Sequence, residues 1–509
     1  LFFFCFLGLC LFSFGWPLGR GVWFFFWGAS APRRLCLGFA RRPEHMAMHV
    51  PGGEKLKTDW FSLWHYGDEA QQRIDAYQQL IDEVDAIYAA LPARHKDAFF
   101  QMVVYNVKGA ALHNQKVLYA QKSQAYGAAQ RASAASYAVL AQQAENAIFA
   151  LIHHHNREQV TVGAKWDHMA SLPGPWGLQW RQFEMPPLST YSGVGRPRLK
   201  LTCEGGDHAS LPGFSVFGPD SHFIDLYNTG NGSLHWEATP SADWIQLSQS
   251  SGVLYDEQRI RVAIDWDQAP RGDAITGSLA FRWRSANDDQ WQDWTTLTAA
   301  EKAAYVAGEF TDPAARDPLK VRLSVFHPLR PERHEVHGFI ESHGVVSMEA
   351  EHFTRKMDRP HASWQIVKGL GRSGDSVTVQ PSNIPRIGEA AELASHSPGL
   401  EYDFYAFTAG EAWLALHCLP TLPLHDGYGQ AIAVALNDQD PVIIPQPSSR
   451  DRMSNLMLLE TPLRIPRPGQ HRLKVWMVDP GLVIDELVLD MGGLKESYLG
   501  PPESRFYPE

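Results

Sequence analysis

The sequence predicts a multidomain chain, α then β: a helical bundle, an immunoglobulin-like β-sandwich, and a second β-domain at the C-terminus. Three observations predict this order. Apolar residues recur at three- and four-residue spacing up to about residue 155. From about Pro197 that period gives way to short alternating runs. Between the two lies a stretch rich in Pro and Gly. The expected divisions are a leader over 1–56, helices over 57–169, a linker over 170–196, a β-sandwich over 197–339 and a final domain over 340–509.

The leader is set aside. Residue 1 is Leu, so the chain is expected to begin inside a larger reading frame. Leu1 to Trp27 is almost wholly apolar, and three readings stay open for it. One is a signal peptide ending near Ala29-Ser30-Ala31, although no basic segment precedes the run. Another is a membrane span, which Gly15, Pro17 and Gly19 interrupt. The third, a translated intron or frameshift, is the expectation adopted.

The first helix is expected to start at Asp68-Glu69, an acceptor for the cap followed by negative charge in the first turn. Ile74, Tyr77, Leu80, Ile81, Val84, Ile87, Tyr88 and Leu91 form its apolar stripe, and Pro92 ends it. A second helix is predicted over about Ala93 to Ala120, with Phe99, Met102, Val103, Val107, Ala111, Val117 and Leu118 buried. A third is predicted from about Ala128 to His155, burying Tyr137, Leu140, Ile148, Leu151 and Ile152. Ala132, Ala134, Ala135, Ala141 and Ala144 allow close approach within an antiparallel bundle.

Beyond the linker, strands are predicted over Arg198–Cys203, Phe223–Tyr227, Leu234–Ala238, Arg259–Ile264, Thr276–Trp283 and Val321–Phe326. Turns such as Gly230-Asn231-Gly232 separate them. A short helix is expected from Ala299 to Val306. In the last domain the strands are Val346–Phe353, one at Trp364, Ser376–Val379, Leu400–Phe407, Ala412–Cys418, Ala431–Leu436, His471–Val478 and Leu482–Leu489.

Composition narrows the function. Of 509 residues, 44% are hydrophobic and 20% charged, which describes a globular protein. The formal net charge of -11 argues against a nucleic-acid partner, which requires clustered Lys and Arg. There are 17 Trp, a residue suited to cores and to sugar stacking alike. Five Cys, three of them in the leader, leave Cys203 and Cys418 without a disulfide framework or a zinc signature. Asn231-Gly232-Ser233 is a glycosylation sequon that matters only in a secreted protein. Gly369-Leu370-Gly371-Arg372-Ser373-Gly374 fits GxGxxG. Because Ser376–Val379 reads as a strand rather than a helix, a turn between strands is expected instead of a nucleotide site. His153-His154-His155 points around a helix, not at one ion.

Several segments carry a resemblance. They are Asp97-Ala98-Phe99-Phe100-Gln101, Val104-Tyr105-Asn106-Val107-Lys108, Lys165-Trp166-Asp167-His168-Met169 and the tail Tyr498-Leu499-Gly500-Pro501-Pro502-Glu503-Ser504. In order and spacing the chain resembles, over about residues 57–504, the C-terminal portion of family 115 glycoside hydrolases, the xylan α-1,2-glucuronidases. Ala170-Ser171-Leu172-Pro173-Gly174-Pro175-Trp176 departs from the family pattern.

The resemblance implies several expectations. The catalytic barrel and its carboxylates belong upstream, so no catalytic residue is named here. The parent would be extracellular and would remove 4-O-methyl-glucuronic acid from glucuronoxylan, and these segments would brace the barrel and support a homodimer. A standalone carbohydrate-binding or assembly protein and a gene-model fragment are the alternatives. Val346-Ser347-Met348-Glu349-Ala350-Glu351 looks like the opening strand of a jelly-roll carbohydrate-binding module. In such modules Glu349, Glu351 and Asp485 would flank a structural calcium. Calcium suits these hard oxygen donors, and Glu349 and Glu351 share one strand face. Trp364, Tyr402 and Tyr405 lie where such modules carry sugar platforms, although Leu400-Glu401 replaces the usual Trp.

Overall fold

The computed structural model describes residues 61–154, 185–206, 209–305, 317–424, 429–446 and 456–508. The leader, the segment Lys165–Met169, most of the expected linker and His155 lie outside them. Among the described residues no helix is long and apolar enough to cross a membrane.

Helix α1 spans Glu69–Ala90, and the Asp68 carboxylate caps it by accepting the Gln71 amide at 3.0 Å. Ala70, Ile74, Tyr77, Leu80 and Val84 bury one stripe of it, and Leu91 turns extended ahead of Pro92. Each large apolar member of that stripe contributes roughly 1.5–3 kcal/mol through burial.

The second predicted helix is more complex. Helix α2 (Ala93–Phe99) runs through a π turn at Phe100–Val104 into α3 (Tyr105–Ala128). The wider turn changes the phase of the stripe. Phe100 and Val104 are therefore buried, while Met102, expected inside, is 69% exposed. Helix α4 (Ala134–His153) packs along α3 with Ala134, Ala141, Ala144 and Ile148 buried, but Leu140 faces outward, contrary to expectation.

A first two-sheet sandwich follows. Its strands are β1 (Leu199–Cys203), β2 (Phe214–Ser215), β3 (Ser221–Asn228), β4 (Leu234–Pro240), β5 (Ile245–Leu247), β6 (Ser251–Leu254), β7 (Glu257–Ile264), β8 (Gly272–Ser285) and β9 (Lys320–His327). One sheet runs β1-β3-β7-β5 and the other β2-β9-β8-β4-β6. Pairing is antiparallel except between β2 and β9. Helix α5 (Ala299–Tyr305) lies between β8 and β9.

The second sandwich begins with β10 (Gly338–Ile340), just ahead of the expected boundary. It continues with β11 (Val345–Glu349), β12 (Arg355–Met357), β13 (Ser363–Val367) and β14 (Ser376–Gln380). Helix α6 (Ala390–His396) precedes β15 (Gly399–Ala406), β16 (Gly410–Leu419), β17 (Ala431–Leu436) and β18 (Val442–Pro445). Strands β19 (Met457–Ile465), β20 (Gly469–Met477), β21 (Val483–Asp490) and β22 (Phe506–Tyr507) complete it. One sheet has the order β18-β17-β20-β15-β10-β22, with β12 on β15. The other runs β13-β14-β21-β16-β19, with β11 on β21. Leu400, Tyr402 and Phe404 of β15 meet Leu414, Leu416, Leu487 and Leu489 in the core between them.

The units are joined by buried charge. Arg131 is fully enclosed, with its guanidinium 4.1 Å from the Tyr126 ring, 4.4 Å from Tyr227 and 4.9 Å from Trp64. It pairs with Asp225 of β3 at 3.2 Å, and Arg259 of β7 holds the same carboxylate at 2.7 Å and Asp68 at 3.0 Å. Burial alone would raise the Asp225 pKa, but Arg259 and Arg131 outweigh it and hold the group below its ordinary value. Between the sandwiches, Phe217, Val336 and Ile340 form an apolar contact with Phe326, Tyr405 and Phe407 around it.

Candidate functional site

The acidic residues singled out in the sequence meet at one seam of the second sandwich. Strand β11 pairs with β21 in the register Glu349↔Glu486 and Ser347↔Val488. This places the outward side chains of β11 beside Asp485 and Glu486. The Gly-rich stretch 369–374 is indeed a turn, linking the antiparallel strands β13 and β14. It lies directly over these carboxylates. A side chain at Gly371 would collide with the Asp485 carboxylate, and one at Gly374 with those of Glu349 and Glu351. Glycine is required here by close approach.

The turn delivers Arg372 into the seam. Its amide donates to both Asp485 oxygens at 3.2 and 3.1 Å, and its guanidinium reaches Asp485 at 3.3 Å and Glu486 at 3.1 Å. It also touches His417 and donates to the Tyr498 carbonyl at 2.6 Å. Asp485 is thus committed to Arg372 rather than open to an ion. Burial raises its pKa, with Arg372 opposing.

Glu349 and Glu351 are arranged differently. Glu351 accepts the Asp375 amide, yet the Oε2 atoms of both Glu349 and Glu351 are buried without a hydrogen-bond partner. Burial, followed by the charges of Glu486, Asp485 and Glu351, pushes Glu349 up to about 8, although Ser373 donates to it. Glu351 is also raised, chiefly by burial. Two orphaned carboxylate oxygens in a desolvated seam fit a hard cation. Among the described residues, however, no three acidic, His or Cys side chains converge closely enough to complete a metal cage. Glu349 and Glu351 thus each present one unpaired carboxylate oxygen, whereas the Asp485 carboxylate is taken up by Arg372.

The expected sugar platforms lie elsewhere. Trp364 is 3% exposed and donates its indole N–H to the Pro398 carbonyl at 3.1 Å. Tyr402 is fully buried and donates to the Ala350 carbonyl at 2.7 Å. Both face inward because the alternation of β13 and β15 aims them at the core, so neither can stack on a sugar. Tyr405 is half-buried at the contact between the sandwiches, 5.1 Å from the Phe407 ring.

The open aromatic was missed. Trp413 on β16 is 58% exposed. The predicted strand carried the signal: with Ala412, Leu414, Leu416 and Cys418 inside, period two sends Trp413 out.

A polar cleft of about 250 Å³ also opens beside β15, β17 and β20, lined by Asp403, Asn437, Asp438, His471, Arg472 and others. Its cations are paired, Arg472 with Asp403 at 2.6 Å and Lys474 with Asp438 at 3.3 Å. Histidine 154, from the His triplet, packs edge-on against Phe100 at 5.0 Å.

Comparisons with known proteins bear on the same segments. The family model of the glycosyl hydrolase family 115 C-terminal domain matches residues 338–503, and that of the viral BACON domain matches 216–281. No curated protein matches. Among solved structures the chain is similar to BtGH115A, described as a family GH115 4-O-methyl-α-glucuronidase with specificity for decorated arabinogalactans. Identity is 15%, coverage is 89% of this chain and 37% of that one, and the TM-score is 0.42. It is also similar to the C-terminal CBM6 of LamC, a laminarinase from Zobellia galactanivorans (9% identity, 29% and 98% coverage, TM-score 0.20). A family 35 carbohydrate-binding module from Clostridium thermocellum is a third (11%, 28% and 96%, TM-score 0.20). The chain spans little more than a third of the length of BtGH115A. By the family match, residues 338–503 belong to the C-terminal domain of glycosyl hydrolase family 115.

Proposed function

We propose that this chain is the non-catalytic C-terminal part of an α-glucuronidase acting on glucuronoxylan side chains, and that it braces an upstream catalytic barrel and supports a homodimer. The observation that carries this reading is the family match over 338–503. It is supported by the way the end of that segment is pinned to the helical unit: Tyr498 and Leu499 amides donate to Glu69. The immunoglobulin-like and jelly-roll descriptions of the two sandwiches, and the domain divisions given above, belong to this proposal. So does a structural calcium held by Glu349 and Glu351 in the seam.

The test is an assay on glucuronoxylan. The polypeptide alone should release no 4-O-methyl-glucuronic acid. Extending the reading frame upstream should restore hydrolysis if barrel-coding sequence lies there. Release of the sugar acid by the 509-residue chain itself would overturn the proposal. A second reading, a carbohydrate-binding protein without hydrolase activity, is favoured by the open Trp413. A genuine start codon and secretion signal directly upstream of residue 57 would support it.

A further inference from the structure

The two faces of the sheet β13-β14-β21-β16-β19 differ in what covers them. Its inner face packs on the core. Part of its outer face is covered by the tail: Ser347 Oγ donates to the Pro501 carbonyl at 3.3 Å, and Gly500 lies so close to the Glu486 carboxylate that a side chain there would collide with it. Another part, over β16 and the edge strand β19, presents three cross-strand pairs: Glu411↔Arg464, Trp413↔Pro462 and Ala415↔Glu460. Glu411 to Ala415 spans ~14 Å of strand.

This surface has a specific chemistry. Trp413 is the only exposed large hydrophobic side chain on these two strands. Pro462 lies opposite it and is exposed. Ala415, small and half-buried, keeps the sheet low on one side of the indole. On the other side, Arg464 and Glu411 form an exposed ion pair at 3.3 Å. Glu460 completes the polar rim. A protein interface gathers apolar side chains at its centre and excludes charge from it. Here a lone flat aromatic is ringed by charge at the distance of a neighbouring side chain. That pattern suits a ligand with one apolar face and a hydroxyl edge. Its sign is informative as well. Glu411, Glu460 and, across β21, Asp490 set three carboxylates around Trp413 against one guanidinium. An anionic sugar is disfavoured by that balance, and an uncharged one is not.

We infer that the outer face of β16 and β19 is a binding site for an uncharged pyranoside chain, stacked on Trp413 with Pro462 beside it and hydroxyls directed to Glu411, Arg464 and Glu460. The site rests on the carbohydrate-binding reading that Trp413 favours and not on the hydrolase reading, because none of these residues touches the carboxylate seam.

The experiment uses the full chain, with xylohexaose and cellohexaose as uncharged probes in titration calorimetry, and with linear xylan and barley β-glucan in affinity gels. Binding is expected to at least one uncharged probe. Trp413→Ala should weaken it tenfold or more, and Trp413→Phe should retain part of it. Tyr255→Ala removes another exposed aromatic from the first sandwich and should leave binding unchanged. Because Trp413 is exposed, its variants should melt at the parent temperature, which separates lost binding from lost folding. Glu460→Gln should strengthen binding of a glucuronic-acid-substituted oligosaccharide. The inference is overturned if the parent binds no uncharged probe, if Trp413→Ala binds as the parent does, or if Trp413→Ala instead turns a dimer into a monomer. Activity restored by upstream sequence would be unaffected by Trp413→Ala, so the two proposals fail separately.

Discussion

Glu69, the first residue of α1, accepts the backbone amide of Leu499 at 2.7 Å across 430 positions of sequence. The same carboxylate accepts the amides of Tyr498 at 3.1 Å and Ser62 at 2.9 Å. A buried carboxylate surrounded by amides at a helix start therefore closes the chain on itself. Arg372 holds the next link by donating to the Tyr498 carbonyl. The helical unit, the tail and the carboxylate seam form one continuous polar path.

That path predicts the behaviour of the tail. Glu69→Ala leaves three amides without their acceptor, at a cost of about 1–3 kcal/mol for each that stays buried. Hydrogen exchange at Tyr498 and Leu499 should accelerate at least tenfold, with protection in β7 unchanged. Equal protection in parent and variant would show that the tail is held by other contacts.

The junction of α4 and the first sandwich should be the most sensitive to a single charge deletion. Arg131→Met leaves Asp225 buried and half-neutralised, and removing one partner from a buried pair costs about 3–5 kcal/mol. Urea denaturation measures it. The pH dependence follows from the depressed pKa of Asp225. A carboxylate lowered in the folded state contributes stability above its unfolded value, 3.8, and that stability is lost as pH falls through the folded value. Asp225→Asn should therefore flatten the acid limb of the stability profile below about pH 4.

At the seam the sign is reversed. Glu349 is raised from 4.5 to about 8, so its contribution is fully present below pH 4.5 and is lost as pH climbs through 8. Without added metal, the parent should melt lower at pH 8.5 than at pH 5, and Glu349→Gln should remove part of that difference. If calcium occupies the seam, saturating it at 100-fold over Kd adds about 2.7 kcal/mol to the parent at pH 8 and nothing to the Glu349→Gln, Glu351→Gln double variant. An identical calcium response in both would remove these residues from the site.

Trp364 should behave as a core residue. Trp364→Ala is expected to cost about 3–5 kcal/mol in denaturant unfolding, from cavity formation. Sugar affinity of the folded fraction should be unchanged. A loss of affinity at unchanged stability would return Trp364 to the ligand surface.

The helical part shows how far local pattern carries. The Asp68 cap, the α1 stripe and the stop at Pro92 were legible because each depends on residues within one or two turns. Met102 was misplaced because a π turn between Phe100 and Val104 breaks the period on which its burial was counted. In the β-domains, runs such as Ala431–Leu436 were legible as strands, while β5, β12 and β18 were not. These are short edge or near-edge strands, and their pairing partners supply what their own pattern lacks.

The acidic residues of the seam were singled out through the resemblance to jelly-roll modules, but their division of labour was not legible. Local sequence determined that 369–374 turns between strands and that Trp413 lies on the opposite side of its strand from Leu414, whereas β11 ends at Glu349 and leaves Glu351 in the turn beyond it. Only the tertiary structure decided that Arg372 takes Asp485, that the tail covers part of one sheet and leaves Trp413 open, and that Trp364 and Tyr402 are interior. The reason is the range of the forces. Periodicity and capping act over a few residues, whereas ion pairing and burial depend on which distant strands the packing brings into contact.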